Sequence, residues 1–178
     1  MQYRYLGNTG IQVSPLCLGT MMFGGQTSEE DSRAIIDKAI DLGINYFDVA
    51  PAYGDGKAEA ALGIALEGRS EEVIIGTKVR LAAEDMGDVT RAVQRSMETS
   101  LRLLKRDSVD ILHVHNRFTE DRGNTLNSLS ADDVMGPVLD AYQAVQTAGK
   151  TRFIGLSAMD HHVPTLNRII DTGSWDTV

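Results

Sequence analysis

Disulfide chemistry is the first thing this sequence lacks, since Cys17 is the single cysteine in 178 residues. No internal bridge can form, and such low cysteine use fits a reducing compartment, so cytoplasm is the expected location. Long apolar runs are missing as well. None reaches the roughly 18 residues that a membrane helix needs. The opening stretch, MQYRYLGNTG, has no apolar core of the signal-peptide kind. Excess positive charge is the third absence. The formal net charge is −8 at pH 7, whereas nucleic-acid binders need clustered Lys and Arg. Neither a membrane nor a nucleic acid is an expected partner.

What remains is an ordinary globular composition, 42% hydrophobic and 24% charged, of a length that suggests one domain. Tyr3 to Leu6 and Ile11 to Ser14 read as short strands around Asn8-Thr9-Gly10, which is turn chemistry. A buried strand at Leu16 to Thr20 runs into a glycine-rich loop, MMFGG. Ser28-Glu29-Glu30-Asp31 has the form of a capping box, and the helix it opens ends near Gly43. Strand and helix then alternate. Strands are expected at Ile44–Asp48, Val73–Lys78, Val109–His115 and Arg152–Ser157. Helices are expected at Lys57–Leu66, about Asp88–Leu104, about Asp133–Ala148 and His161–Asp171, with Pro164 in the early turn where proline is tolerated. Trp175 to Val178 looks like the opening of one more strand.

Strands alternating with helices imply a parallel sheet with right-handed crossovers. A doubly wound open sheet and an eight-fold barrel both fit that order. The dinucleotide fingerprint of the open sheet is absent, because no glycine follows Gly54-Asp55-Gly56 at the third position. A whole barrel takes about 250 residues. Five strand–helix units and a strand start therefore correspond to its first two-thirds, with an open, association-prone edge.

Chemistry collects where a barrel would place it, at the carboxyl ends of the strands. Those ends are Asp48, Lys78, His115 and Ser157, and Tyr53 lies in the loop after Asp48. A free phenol, with a pKa near 10, is a poor proton donor at neutral pH. A neighbouring ammonium favours the phenolate, and a buried ammonium needs a counter-charge that Asp48 can supply. A neutral imidazole can donate a hydrogen bond to an oxygen gaining charge. Such a set suits protonation of an oxygen becoming an alkoxide, as in hydride reduction of an aldehyde or ketone by a cofactor.

These residues sit in stretches that resemble the aldo-keto reductase family. GINYFDVAPAYGDGKAEAALG looks like the family's signature around its aspartate and tyrosine. VIIGTKV is similar to its lysine strand, SLRLLKRDSVDILHVH to the helix and strand leading to its histidine, and GKTRFIGLS to its fifth strand. The resemblance runs over residues 1–178 as the N-terminal part of one (β/α)8 TIM barrel domain. It implies NADP as the usual cofactor, with NAD also open, and a small carbonyl compound or sugar as substrate. By the same resemblance Tyr53 is the general acid, Lys78 lowers its pKa, Asp48 partners Lys78, and His115 orients the carbonyl. Gly19, Thr20 and Met21 resemble the stretch bordering the nicotinamide ribose, and Ser157 the position that meets its carboxamide. The family often has asparagine after that serine, where this chain has Ala158.

Met21 and Phe23 are expected to line the substrate pocket with soft apolar surface, and Asn116 to join them. Asn116 to Asp132, long and polar, is expected to be a substrate lid with Phe118 among its apolar contacts, since loops beyond about 12–15 residues are often functional. Two readings from other classes stand beside the reductase. A non-catalytic nucleotide-binding or interaction module would share the fold, as in potassium-channel β subunits. His113 and His115 have a spacing that can ligate zinc, as in a barrel hydrolase, but no supporting ligands stand at other strand ends, so no metal is expected. His113 is read instead as a polar residue one layer below His115.

Overall fold

The computed structural model describes residues 1–69, 73–123, 125, 127–157 and 161–178. An antiparallel pair, β1 (Arg4–Tyr5) and β2 (Gln12–Val13), opens the chain. Five parallel strands follow: β3 (Cys17–Gly19), β4 (Tyr46–Asp48), β5 (Ile74–Val79), β6 (Val109–Val114) and, after two short strands, β9 (Thr151–Leu156). Their spatial order is β3-β4-β5-β6-β9. Each strand lies beside its predecessor and the order never reverses. A doubly wound sheet reverses at a switch point, so this winding is that of a barrel. Thr177 makes a single parallel bridge to Gly155 on the other edge of β9, its carbonyl accepting from Leu156 N at 3.0 Å.

The connecting helices are α1 (Glu29–Asp41), α2 (Lys57–Ala65), α3 (Val89–Leu104), α5 (Leu139–Thr147) and α6 (Val163–Ile170). Successive helices α1, α2, α3 and α5 pack side by side, forming one outer layer. The strand period of two explains the core. Phe47, Val49, Ile75, Val79, Leu112, Val114, Ile154 and Leu156 point outward and are buried under the helices. The alternate positions, Tyr46, Asp48, Gly76, Lys78, Ile111, His113 and Gly155, occupy the inner face. Gly76 is where that face needs a missing side chain. A Cβ there would stand 3.0 Å from the Tyr46 hydroxyl and 3.4 Å from His113 Cε1.

The Ser28 cap agrees with the sequence reading. Ser28 Oγ accepts from Asp31 N at 3.0 Å and donates to the Asp31 carboxylate at 2.7 Å. Asp88 Oδ1 accepts from Arg91 N at 3.1 Å at the start of α3. One helix departs from expectation. The stretch expected as a continuous helix from Asp133 begins instead with one turn, α4 (Ala131–Asp133), capped by Ser130. It widens to a π-type turn over Val134–Val138 and only then continues as α5. Gly136 leaves helical geometry at φ −107° and ψ −110°, and Pro137 has no N–H to give, so the regular ladder breaks between them.

The segment after β6, expected as a long polar loop, carries a short strand pair. It is not a structureless excursion. β7 (Arg117–Phe118) pairs with β8 (Ser128–Leu129), and Thr119 N donates to Leu129 O at 3.0 Å. Arg122 grips the Asp133 carboxylate through Nε at 2.9 and 3.0 Å and also through Nη2. Phe118, expected to face substrate, is fully buried in the core. Among the described residues no helix is long and apolar enough to cross a membrane.

Candidate active site

Asp48 is the last residue of β4, and Phe47 before it is locked under the helices, so alternation turns Asp48 inward. Its partner on β5 is Gly76, and two residues further along the same face stands Lys78. Lys78 Nζ donates to Asp48 Oδ1 at 2.6 Å, to Val49 O at 3.0 Å and to Tyr53 Oη at 3.1 Å. All three ammonium protons are thereby directed. The lysine side chain is 5% exposed and the aspartate 30%, so the pair is shielded on the cationic side. Tyr53 Oη also donates toward Asp48 Oδ2 at 3.5 Å, a long contact.

Tyr53 reaches this point through a run of turns. Tyr53 N donates to Ala50 O at 3.0 Å, Gly56 N to Pro51 O at 2.9 Å and Lys57 N to Gly54 O at 3.1 Å. Gly54, Asp55 and Gly56 take φ of 59°, 53° and 82° in succession. Two glycines and an aspartate suit three left-handed residues in a row, where other side chains are strained. The chain can then turn back and start α2 within a few residues of the strand.

His115 follows β6, with its N–H on Val79 O at 2.8 Å. Its ring stands edge-on to that of Tyr53, centroids 6.1 Å apart. Burial first, then the Lys78 and Arg80 charges, pushes its pKa down to about 4. His113, on the same face, is likewise pushed down to about 4 by burial and then by Lys78. Both imidazoles are therefore neutral at pH 7. His113 Nε2 lies 3.3 Å from Thr177 Oγ1. Among the described residues no group of three His, Cys, Asp or Glu is placed to hold a metal ion.

Asp48, Tyr53, Lys78 and His115 thus converge on one rim. The other expected residues divide. Gly19 pairs with Asp48 in the sheet, and a Cβ built there would meet nothing within 4 Å, so open space lies over it. Thr20 is fully buried, and its hydroxyl and N–H both donate to Asp48 O, at 2.9 and 3.0 Å. Its side chain secures the aspartate's backbone. Met21 is exposed on the first loop. Ser157 stands half-buried at the end of β9, held by its N–H on Val114 O at 2.9 Å. Ala158 lies outside the described residues.

Phe23 and Asn116, expected at the substrate pocket, are both buried. Phe23 is packed into the hydrophobic core. Asn116 is buried with its amide fully engaged: it accepts from Leu81 N at 3.0 Å and donates to Leu81 O at 2.8 Å and Asn127 O at 2.6 Å. It ties the loops after β5 and β6 together. The sequence reading missed two contributors. The Val49 carbonyl has no side-chain signal to find. Arg80, whose Nε donates to His115 O at 3.2 Å, was discoverable from its place two residues beyond Lys78.

A model of the Aldo/keto reductase family matches residues 15–169. The chain belongs to that family. Its solved relatives are (β/α)8 barrels, of which this sheet and its helices are a part. L-galactose dehydrogenase of Arabidopsis thaliana is 34% identical over 165 residues, covering 89% of this chain and 49% of the relative. An uncharacterized oxidoreductase of Bacillus subtilis, YrpG, is 34% identical over 196 residues, covering 94% of this chain and 60% of its own length. The holo form of the aldo-keto reductase AKR11C1 from Bacillus halodurans superposes with a TM-score of 0.73 at 30% identity, over 89% of this chain and 51% of that one. This family member thus spans about half the length of the curated relatives it matches.

Proposed function

We propose that the site protonates the oxygen of an aldehyde, ketone or sugar carbonyl while that group is reduced to an alcohol, or runs the reverse oxidation. The observation that carries this reading is the Tyr53–Lys78–Asp48 chain, with contacts of 3.1 and 2.6 Å. When Tyr53 gives up its proton, the phenolate left behind lies beside an ammonium already hydrogen-bonded to it. Asp48 and the Val49 carbonyl hold that ammonium in place as the charge moves. His115, neutral at pH 7 because burial depresses its pKa to about 4, has an N–H to offer the carbonyl oxygen. Two donors on one oxygen orient the carbonyl and stabilise the developing alkoxide.

The residues fit a nicotinamide cofactor, NADPH by family habit. Gly19 offers an open floor where a side chain would fill the space, next to Asp48 in register. Gly19, Thr20 and Met21 by their backbone, and Ser157 by its hydroxyl, are the residues that would hold it. When bound, it supplies the hydride. Cytoplasm remains the proposed location.

The test uses the whole natural polypeptide with NADPH and a reactive aromatic aldehyde, followed by loss of absorbance at the reduced nicotinamide band. Turnover supports the reductase. Tight cofactor binding with no turnover across a panel of aldehydes and ketones would replace it with a non-catalytic binding module.

A further inference from the structure

Glu59 is a carboxylic acid with no exposed surface, placed between the helix layer and the sheet. Helix α2 carries it inward, and its Oε1 accepts from the Thr77 hydroxyl at 2.7 Å. Thr77 is the residue before Lys78 in β5, pointing to the opposite side of the sheet. Ser100 on α3, itself buried, lies near the same carboxyl. Burial pushes this carboxyl's pKa up, against the opposing effects of Thr77, the nearby Ser100 and the Lys78 charge. A fully buried acid costs stability relative to an apolar residue of similar size. Packing alone does not account for it.

Its position does. Ala58 N donates to Tyr53 O at 3.3 Å, so the turns that carry Tyr53 are continuous with the first turn of α2. The other end of the Glu59 contact is the backbone neighbour of Lys78. The Glu59–Thr77 bond therefore joins the element bearing the phenol to the strand bearing the ammonium. Close packing on the far side prevents α2 from adjusting freely. A Cβ added at Gly63 would stand 2.8 and 2.9 Å from the Leu104 backbone of α3. With α2 pressed against α3, the carboxyl has a defined reach to Thr77.

We propose that Glu59 is a positioning residue for the reaction, setting through Thr77 the separation of Tyr53 from Lys78. This rests on the reductase reading of the site. It assigns no contact with substrate or cofactor. Its effect falls on the proton-donating step, and substrate and cofactor affinities are spared.

The experiment uses the whole natural polypeptide as wild type, Glu59→Ala, Glu59→Gln and Thr77→Val. Thermal melting sets a working temperature at which every variant is folded. NADPH affinity, aldehyde KM and kcat are then measured, together with the ring 13C resonance of Tyr53, identified by its loss in Tyr53→Phe. Glu59→Ala and Thr77→Val are expected to lower kcat by roughly 10- to 100-fold, the scale of a misplaced catalytic group, with KM and cofactor affinity unchanged and the Tyr53 resonance displaced. Glu59→Gln keeps an acceptor for Thr77 and offers an amide to Ser100, so it should restore both readouts. Thr77→Val is the milder change, and carries the test if Glu59→Ala does not fold. An unmoved Tyr53 resonance in a folded Thr77→Val protein overturns the proposal whether or not the wild type turns over aldehyde. A wild type without turnover but with a displaced resonance in Thr77→Val overturns the reductase reading alone.

Discussion

Lys78 Nζ stands 3.1 Å from the phenol oxygen of Tyr53, across 25 residues of chain. The two meet because β4 and β5 lie side by side in the sheet. Lys78 arrives by strand alternation and Tyr53 by three consecutive left-handed residues. The first expectation is therefore direct. Tyr53→Phe should reduce turnover of a reactive aldehyde by at least 100-fold, the scale of a lost general acid, about 10²–10⁴. NADPH affinity should hold within a factor of about three. Retained turnover would remove the acid role.

Lys78→Met tests the ion pair as structure as well as chemistry. It leaves Asp48 without the partner at 2.6 Å. Because Asp48 keeps some access to water, the cost should fall near about 3 kcal/mol, the low end for breaking a buried pair. Urea unfolding measures this, and the double variant Lys78→Met with Asp48→Asn should recover part of the loss. A double variant no more stable than the single one would mean the pair is not coupled.

Acid should weaken the fold through His113 and His115. Both have pKa values near 4 in the folded chain, against 6.5 for an ordinary histidine. Between those values the unfolded chain binds more protons, so stability is present above pH 6.5 and is lost as pH falls toward 4. A tenfold difference in proton affinity corresponds to about 1.4 kcal/mol. Discounted for coupling between the two sites, the combined loss should be on the order of a few kcal/mol. Urea midpoints at pH 7, 6 and 5 read it. A flat profile over that range would show that the imidazoles are not shielded.

Gly63→Ala sets two effects against each other. In the interior of α2, alanine gains about 1 kcal/mol of helix propensity over glycine. The new methyl meets the Leu103 carbonyl and stands 2.8 Å from Leu104 C, both of them backbone atoms that cannot swing aside. Overpacking of this kind costs roughly 1–3 kcal/mol, so net destabilisation is expected. A raised melting temperature would mean that α2 and α3 separate easily, and Glu59 would then have no fixed reach to Thr77.

Asn116→Ala separates a substrate contact from a structural one. Three hydrogen bonds to main-chain groups of Leu81 and Asn127 depend on its amide. Stability should fall by about 2–3 kcal/mol, from buried groups left unpaired. KM values across differently shaped aldehydes should keep their rank order. A re-ordered panel with unchanged stability would return Asn116 to the substrate pocket.

Much of this was legible in the linear chain. Apolar runs ending in Asp48, Lys78 and His115 announce polar groups at strand ends, because a strand buried under helices tolerates a charge only where it meets a mouth. Strand–helix alternation announces a parallel sheet, and Gly54-Asp55-Gly56 announces a tight return after β4. Those signals are local, carried by periods of two and 3.6 residues and by residues that accept left-handed backbone.

Other assignments needed the folded chain. Phe23 and Phe118 look like loop aromatics in sequence, yet both are buried, because their neighbours in the core come from distant elements. Asn116 looks like a polar rim residue until the backbone of Leu81 is brought beside it. Gly136-Pro137 interrupts a helix whose apolar spacing reads as continuous. Glu59 reads as one more polar residue on a helix, and only the packing of α2 against β5 and α3 turns it inward onto Thr77. Sequence by itself determined which residue types stand at the strand ends and in what order the elements wind. Tertiary structure decided which of the remaining polar and aromatic groups face the site and which face the core, because that depends on contacts between segments far apart in the chain.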